Sequence, residues 1–288
     1  SLEKTITSYG WAMPDICQVK SEDGNIWIAD RSHGLIRGKN AADFMKFEIP
    51  GPASDNVVHI ASSNGKTFIC AGGTDSSWDG AGRIFQVSVH SNGKFENLIS
   101  ENEKDAMRCC IDPADNSHFF VSSWGHGLSE YRNNIRVNHY DKGNSPLREG
   151  SGISTDTRIC GITFDSDGNL WITQGSSNST IKVLKPDGKW IIFPYTVSAS
   201  VPLDIISVSG GQKWIMQPGA SSLFILDDND TPDLLADDRY MRLSVMDAEG
   251  NFFSVFSMTE DLDGNIWIGT DKGPLVYFNP GQIFDKDL

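Results

Sequence analysis

The sequence predicts an all-β fold: a β-propeller of six blades, each of four antiparallel strands, with seven blades as the alternative. Three observations carry this expectation. The hexamers Asp23–Ile28, Asp167–Ile172 and Asp263–Ile268 are nearly identical, reading Asp-Gly-Asn-(Ile or Leu)-Trp-Ile. Degenerate copies lie at Asn64–Ile69, Asp115–Phe120 and Gly211–Ile215, and the aligned aromatics fall about 41 to 53 residues apart, the period of one propeller blade. Finally, Ile26, Trp27 and Ile28 are consecutive apolar residues. A strand without alternation has both faces buried, as a blade packed between two blades requires.

Each repeat reads as a meander. An apolar first strand is expected at Ile16–Val19, Val57–Ala61, Arg108–Ile111, Ile159–Phe164, Asp204–Val208 and Val255–Met258. An Asp-Gly or Asn-Gly turn follows, suited to hairpins because these residues accept positive φ. The Trp- or Phe-bearing second strand comes next. Third strands are expected at Gly34–Ile36, Arg83–Val87, Gly127–Tyr131, Ile181–Leu184, Ser222–Leu226 and Pro274–Phe278. Polar outer strands follow at Met45–Ile49, Phe95–Ile99, Arg136–Tyr140, Trp190–Pro194 and Met241–Met246. The sixth repeat has only three strands, and Leu2–Tyr9 is expected to pair as its outer strand and close the ring, which removes an exposed edge. Leu226–Phe252 is the one stretch long enough to hide a seventh blade. With no linker or low-complexity run, residues 1–288 read as a single domain.

Composition narrows the function. Lys and Arg number 24 against 38 Asp and Glu, a net charge of −14 that repels phosphate backbones and anionic lipid, so nucleic acid is not an expected partner. The longest apolar runs, such as Trp190–Phe193, are too short for membrane insertion. The five cysteines (Cys17, Cys70, Cys109, Cys110 and Cys160) lie in apolar stretches without metal-site spacing, and are expected to be reduced and mostly buried. Adjacent Cys109 and Cys110 must face opposite sides of their strand. The repeated Asp-Gly-Asn is a hairpin turn and lacks the spaced oxygen ligands of a calcium loop. No nucleophile elbow, zinc-protease helix or phosphate loop is present, so no catalytic residue, metal or cofactor is expected.

Binding residues are expected in the loops between second and third strands, which share one face with the loops linking blades. These loops vary in length and chemistry, whereas the opposite face repeats its short turns, and varied loops on a repeated scaffold are where specificity is built. They hold Trp78, Trp124, His33, His126, Arg31 and Arg83; the linking loops add Trp11 and Arg158, together with Arg108 and Arg148. Trp and Arg commonly anchor binding surfaces. Trp78 and Trp124 are expected on an exposed rim, and His33 and His126 occupy matching His-Gly-Leu positions.

The repeat resembles the two-component regulator propeller family, and the sixth copy, from Met258 through Lys272-Gly273-Pro274 and Val276 to Asn279-Pro280, is similar to the PorZ-type propeller proteins of the type IX secretion apparatus. The resemblance implies a periplasmic, outer-membrane-surface or secreted bacterial location. It also implies a non-catalytic module of a sensor or secretion-associated protein, binding carbohydrate or protein and joined to further domains of a longer chain. A rival resemblance, of Asp167–Pro194 to virginiamycin B lyase repeats, implies a propeller enzyme acting on a cyclic ester or glycan. Those repeats end their second strand with aromatic-Thr-Glu; here the endings are Ile28-Ala29-Asp30, Ile172-Thr173-Gln174 and Ile268-Gly269-Thr270, which lack the Glu.

Overall fold

The identical Asp-Gly-Asn motifs make two different turns, and the residue two positions upstream decides which. At the first copy Glu22 pairs with Asn25 across Asp23 and Gly24, whose φ values are 50° and 73°. Two positive φ values in a two-residue loop match the right-handed twist of the arms. At the other two copies an Asp stands where the first has Ser21. The Asp165 carboxylate accepts the backbone N–H of Asp167 and Asn169, and the Asp261 carboxylate those of Asp263 and Asn265. That widens the turn to three residues ending on Gly168 (φ 78°) or Gly264 (φ 80°). The second carboxylate oxygen receives the repeated indole: Trp171 Nε1 donates to Asp165 at 2.8 Å and Trp267 Nε1 to Asp261 at 2.7 Å. The Trp267 hydrogen bond, with those of Asn265, holds the Asp261 carboxyl down at about 2.

A computed structural model describes residues 5–39, 43–47, 50–148, 156–175, 179–197 and 203–285. The chain divides into two compact units, Ser1–Gly51 and Pro52–Leu288. The first holds one sheet in chain order: β1 (Ile16–Glu22), β2 (Asn25–Asp30), β3 (Gly34–Lys39) and β4 (Asp43–Phe47). Tyr9, Ile28 and Ile36 form its core.

The second unit repeats the same meander. Its first sheet runs β5 (His59–Ser63), β6 (Lys66–Cys70), β7 (Ile84–Ser91) and β8 (Lys94–Lys104). The next four strands are β9 (Ala106–Ile111), β10 (His118–Gly125), β11 (Gly127–Arg132) and β12 (Ile135–Tyr140), followed by β13 (Thr157–Phe164), β14 (Leu170–Gln174), β15 (Ile181–Leu184) and β16 (Trp190–Ile192). These two meanders join into one eight-stranded sheet, because the end of β10 pairs with β13 at Trp124–Arg158 and Gly125–Thr157. The last two sheets are β17 (Asp204–Ser207), β18 (Lys213–Met216), β19 (Ser222–Asp227) and β20 (Arg239–Ser244), then β21 (Val255–Glu260), β22 (Ile266–Thr270) and β23 (Gly273–Tyr277). Between β20 and β21 only the isolated bridge Met246–Phe252 occurs, so no further meander is hidden there. Among the described residues no helix is long and apolar enough to cross a membrane.

Cores form between successive meanders. Phe68, Phe85, Val87, Phe119 and Val121 pack between the first two of the second unit. Ile159, Ile162, Leu170 and Ile172 pack against Phe120 and Leu128. Trp171 with Ile205, Ile215 and Phe224 fills the next gap, and Trp214 with Val255, Ile266 and Ile268 the last. Strands β14 and β18 are buried along their whole length, but β2, where Ile26-Trp27-Ile28 predicted two buried faces, buries only Ile28 of the three and leaves Ile26 and Trp27 half-buried. Trp267 departs from the expected burial at 42 % exposure. It points to the face of β22 away from β17–β20, and within its unit no further sheet follows.

The expected closing strand is corrected. Leu2–Lys4 lies outside the described residues, and Thr5–Tyr9 forms no strand. Instead Tyr9 is buried in its own unit, its hydroxyl donating to Asp30 at 2.8 Å, and its N–H bonds Ala12 across a turn opened by Gly10 at φ 93°. Burial, then the Asp30 hydrogen bond, pushes the Tyr9 phenol up to about 12.

All five thiols are free. Cys109 packs into one inter-meander core and Cys110 into the next, as adjacency in a strand requires. Cys70, Cys109 and Cys160 are buried and Cys110 is half-buried, but Cys17 is exposed because all of β1 is. One thiol of the native protein is therefore expected to react quickly with an aromatic disulfide reagent and four slowly, rising to five after unfolding without reductant. A native count of zero fast thiols contradicts the placement of Cys17.

Candidate functional site

The inner strands of the second unit converge on a cavity of about 850 Å³. Its wall comes from β5, β9, β13, β17 and β21, with Ile60, Ile111, Ile162, Ile206 and Phe256 among the lining residues. It opens on the side of the short turns. At the opposite end, under the long loops, lies a smaller chamber of about 300 Å³. The two share Val58, Arg108 and Asp204. Arg108 on β9 donates through Nε (3.2 Å) and Nη2 (2.9 Å) to one carboxylate oxygen of Asp204, the first residue of β17, and through Nη1 to the Met107 carbonyl at 3.0 Å. Their side chains are only 16 % and 26 % exposed. This ion pair separates the wide cavity from the chamber. Beside it His59 Nδ1 accepts the Cys109 N–H at 3.3 Å. Burial, and then the Arg108 charge, lower the His59 pKa to about 4, so its ring is neutral at pH 7.

The chamber is roofed by the loop between β6 and β7. Asp75 organises this loop, accepting the N–H of Ser77 (2.8 Å) and Asp79 (3.0 Å). Trp78 sits there at φ 64°. A left-handed backbone is unfavourable for a bulky residue and persists only where its surroundings over-determine it. Here Trp78 packs on the core containing Leu203 and Ile205, and its carbonyl accepts Trp124 Nε1 at 2.9 Å. Arg83 also lines the chamber and donates to the Gly72 carbonyl. Room for its guanidinium depends on Gly73: a Cβ there would stand 2.6 Å from Nη1. Asp105, itself at φ 51°, secures the loop by accepting the N–H of Gly82 (2.9 Å) and Arg83 (3.2 Å).

The structure therefore brings Trp78, Trp124, Arg83, Arg158 and His126 into one neighbourhood of the second unit. Trp124 is not on the rim. It is 2 % exposed and packs with Met107 and Cys160. The Gly125-His126-Gly127 sequence reads as an open loop, but backbone pairing of Trp124 with Arg158 draws the ring inward. Arg158 lies over the Trp124 ring, 5.6 Å from its centre, and bonds Asp79 at 2.8 Å. His126 accepts the Lys104 N–H at 3.3 Å and donates its own N–H to Ser123 at 3.0 Å. Trp11, Arg31 and His33 belong to the first unit. There Trp11 and His33 meet edge-on at 5.5 Å, and Arg31 bonds Asp15 at 3.4 Å. Arg148 on a linking loop exchanges backbone bonds with the Gln174 amide. His59 and Asp204 were missed as site residues. The available signal was a charge set in an apolar strand: Asp204 opens β17 and Arg108 is the third residue of β9.

A second polar cluster lies away from the channel, in an outer cleft of about 430 Å³. His118 Nδ1 meets Asp112 at 2.8 Å and Nε2 meets Glu130 at 2.9 Å; Glu130 also accepts Asn138 (2.7 Å) and the Tyr140 hydroxyl (2.8 Å). Burial pulls the His118 pKa down, but the bonds to Glu130 and Asp112 outweigh it and raise it above 6.5. The His118 bond lowers Glu130 from 4.5 to about 2 against the opposing effect of burial. The imidazolium's contribution is thus complete below pH 6.5 and fades as pH rises through the raised folded value; the carboxylate's is present above 4.5 and fades as pH falls toward 2. Thermal unfolding of the wild type is expected to lose stability relative to His118→Gln as pH rises above 6.5; parallel pH profiles would refute the charged state.

No family model and no curated protein matches the sequence. Solved structures do. PorZ, a surface component of the type IX secretion system of Porphyromonas gingivalis, is 23 % identical over 93 % of this chain and 39 % of its own, with a TM-score of 0.77. The extracellular domain of a hybrid two-component system protein of B. thetaiotaomicron is 20 % identical over 92 % of this chain and 33 % of its own, at 0.54. A streptogramin B lyase is 16 % identical over 92 % of this chain and 83 % of its own, also at 0.54. The chain spans between a third and two fifths of the first two proteins. At these identities the likeness is one of fold, and with the antiparallel four-stranded meanders it makes this chain an all-β, propeller-like protein.

Proposed function

We propose that residues 1–288 form one six-bladed propeller domain within a longer bacterial envelope protein, a sensor or a secretion-associated surface component. It recognises a carbohydrate or protein ligand and performs no chemistry on it. The observation that carries this reading is the chamber beneath Trp78, the point where the varied loops, a strained aromatic and two arginines meet. The surface and extracellular neighbours support a periplasmic, outer-membrane-surface or secreted location. Against catalysis stands the engagement of both ring nitrogens of His118 by Asp112 and Glu130, and the burial of Cys70, Cys109 and Cys160.

The test is an immobilised oligosaccharide panel probed with native protein and with Trp78→Ala. Binding to at least one member is expected, weakened about 30-fold by the substitution, which is roughly 2 kcal/mol. Binding that survives in a folded Trp78→Ala protein, or turnover of the bound saccharide, overturns the reading.

A further inference from the structure

We infer that the chamber beneath Trp78 is built for a carboxylate, and that its ligand is a sugar acid whose anion sits between Arg83 and Arg108. This rests on the reading of the loop face as the binding face. The chain carries a net charge of −14, yet two guanidiniums and one carboxylate line this small chamber. Asp204 is already spent on Arg108. Arg83 has no carboxylate within ion-pair distance among the described residues, and one backbone carbonyl, that of Gly72, is its only acceptor there. Nearby Asp105 feels the Arg83 charge but makes no contact ion pair with it. That carboxylate is buried and is occupied by two backbone N–H groups. Gly73 keeps open the space the Arg83 fork fills. A guanidinium held by one edge and open on the other is the bidentate receptor for a carboxylate.

The remaining wall favours a sugar over a peptide terminus. Trp78, Met107 and Pro218 offer apolar surface for the C–H face of a ring, while the Thr74 hydroxyl offers a hydrogen-bonding partner for its hydroxyls. A volume of about 300 Å³ admits one ring rather than an extended chain.

The experiment titrates the native protein calorimetrically with methyl glucuronoside and with methyl glucoside, which differ at the carboxylate alone. The acid is expected to bind at least tenfold more tightly and to weaken as salt rises, with the neutral sugar insensitive to salt. Arg83→Gln should abolish the difference between the two sugars with little change in melting temperature, and Arg83→Lys should restore part of it. Equal binding of acid and glucoside overturns the carboxylate inference while leaving the loop-face reading intact. Failure of both sugars overturns the inference, as does tighter binding of a short peptide ending in a free carboxylate than of its amide when neither sugar binds. Failure of the whole saccharide panel overturns the carbohydrate arm of the broader reading as well.

Discussion

Trp124→Ala is expected to destabilise the protein by about 3–5 kcal/mol and to lower its melting temperature by roughly 10 °C, the cost of deleting a buried aromatic. The ring is walled by Met107 and Cys160, covered by the Arg158 guanidinium and tied through Nε1 to the Trp78 carbonyl. Its loss opens a cavity and also frees Arg158, whose Nε already lacks a partner. Trp124→Phe retains the packing and loses only the hydrogen bond, so about 1–2 kcal/mol is expected. Trp78→Ala, at a half-buried ring, should shift the melting temperature by a few degrees only. Equal shifts for Trp78 and Trp124 would contradict this division of labour, in which one tryptophan supports the loop and the other faces the chamber.

Breaking the Arg108–Asp204 pair from one side is the second large effect. Asp204→Ala leaves a guanidinium beside His59 and two buried thiols with no counter-charge, and a loss of about 3–5 kcal/mol is expected. Arg108→Met strands the carboxylate in the same way. The double variant Arg108→Met, Asp204→Ala removes both charges, so it should lose less than the sum of the singles and less than Asp204→Ala alone. Denaturant unfolding of the four proteins measures the coupling. Additive losses would mean that the two side chains do not act as a pair.

The meanders were legible because their determinants are local. Asp-Gly or Asn-Gly marks four of the six first hairpins, at Asp23, Asn64, Asp167 and Asp263, and an apolar stretch marks the strand that follows. The charged and aromatic site was less so, since its partners lie in different repeats. Arg108 and Asp204 are 96 residues apart, and Trp124 finds its acceptor 46 residues upstream. No periodicity brings such positions together; only stacking of the meanders does. Tyr9 fails for the same reason. Read locally, Leu2–Tyr9 has a strand's composition, but the Tyr9 phenol is claimed by Asp30, at the end of β2. The matching positions of His33 and His126 also mislead: one ring packs against Trp11, while the other accepts a backbone N–H.

The pairing of β10 with β13 has a consequence for how the protein comes apart. In stacked repeats each unit normally opens against its neighbours alone, and stability is a sum of local terms. Two backbone-bonded residue pairs cross from one repeat to the next here, at Trp124–Arg158 and Gly125–Thr157. Amide protons of β9–β16 are therefore expected to exchange as a single block, later than those of β21–β23, whose sheet has only three strands. The loop carrying Trp78 is tied to this slowest block by the Trp124 indole and by Arg158, which bonds Asp79. A loop suspended from the most persistent part of a repeat protein keeps its shape while less protected strands breathe.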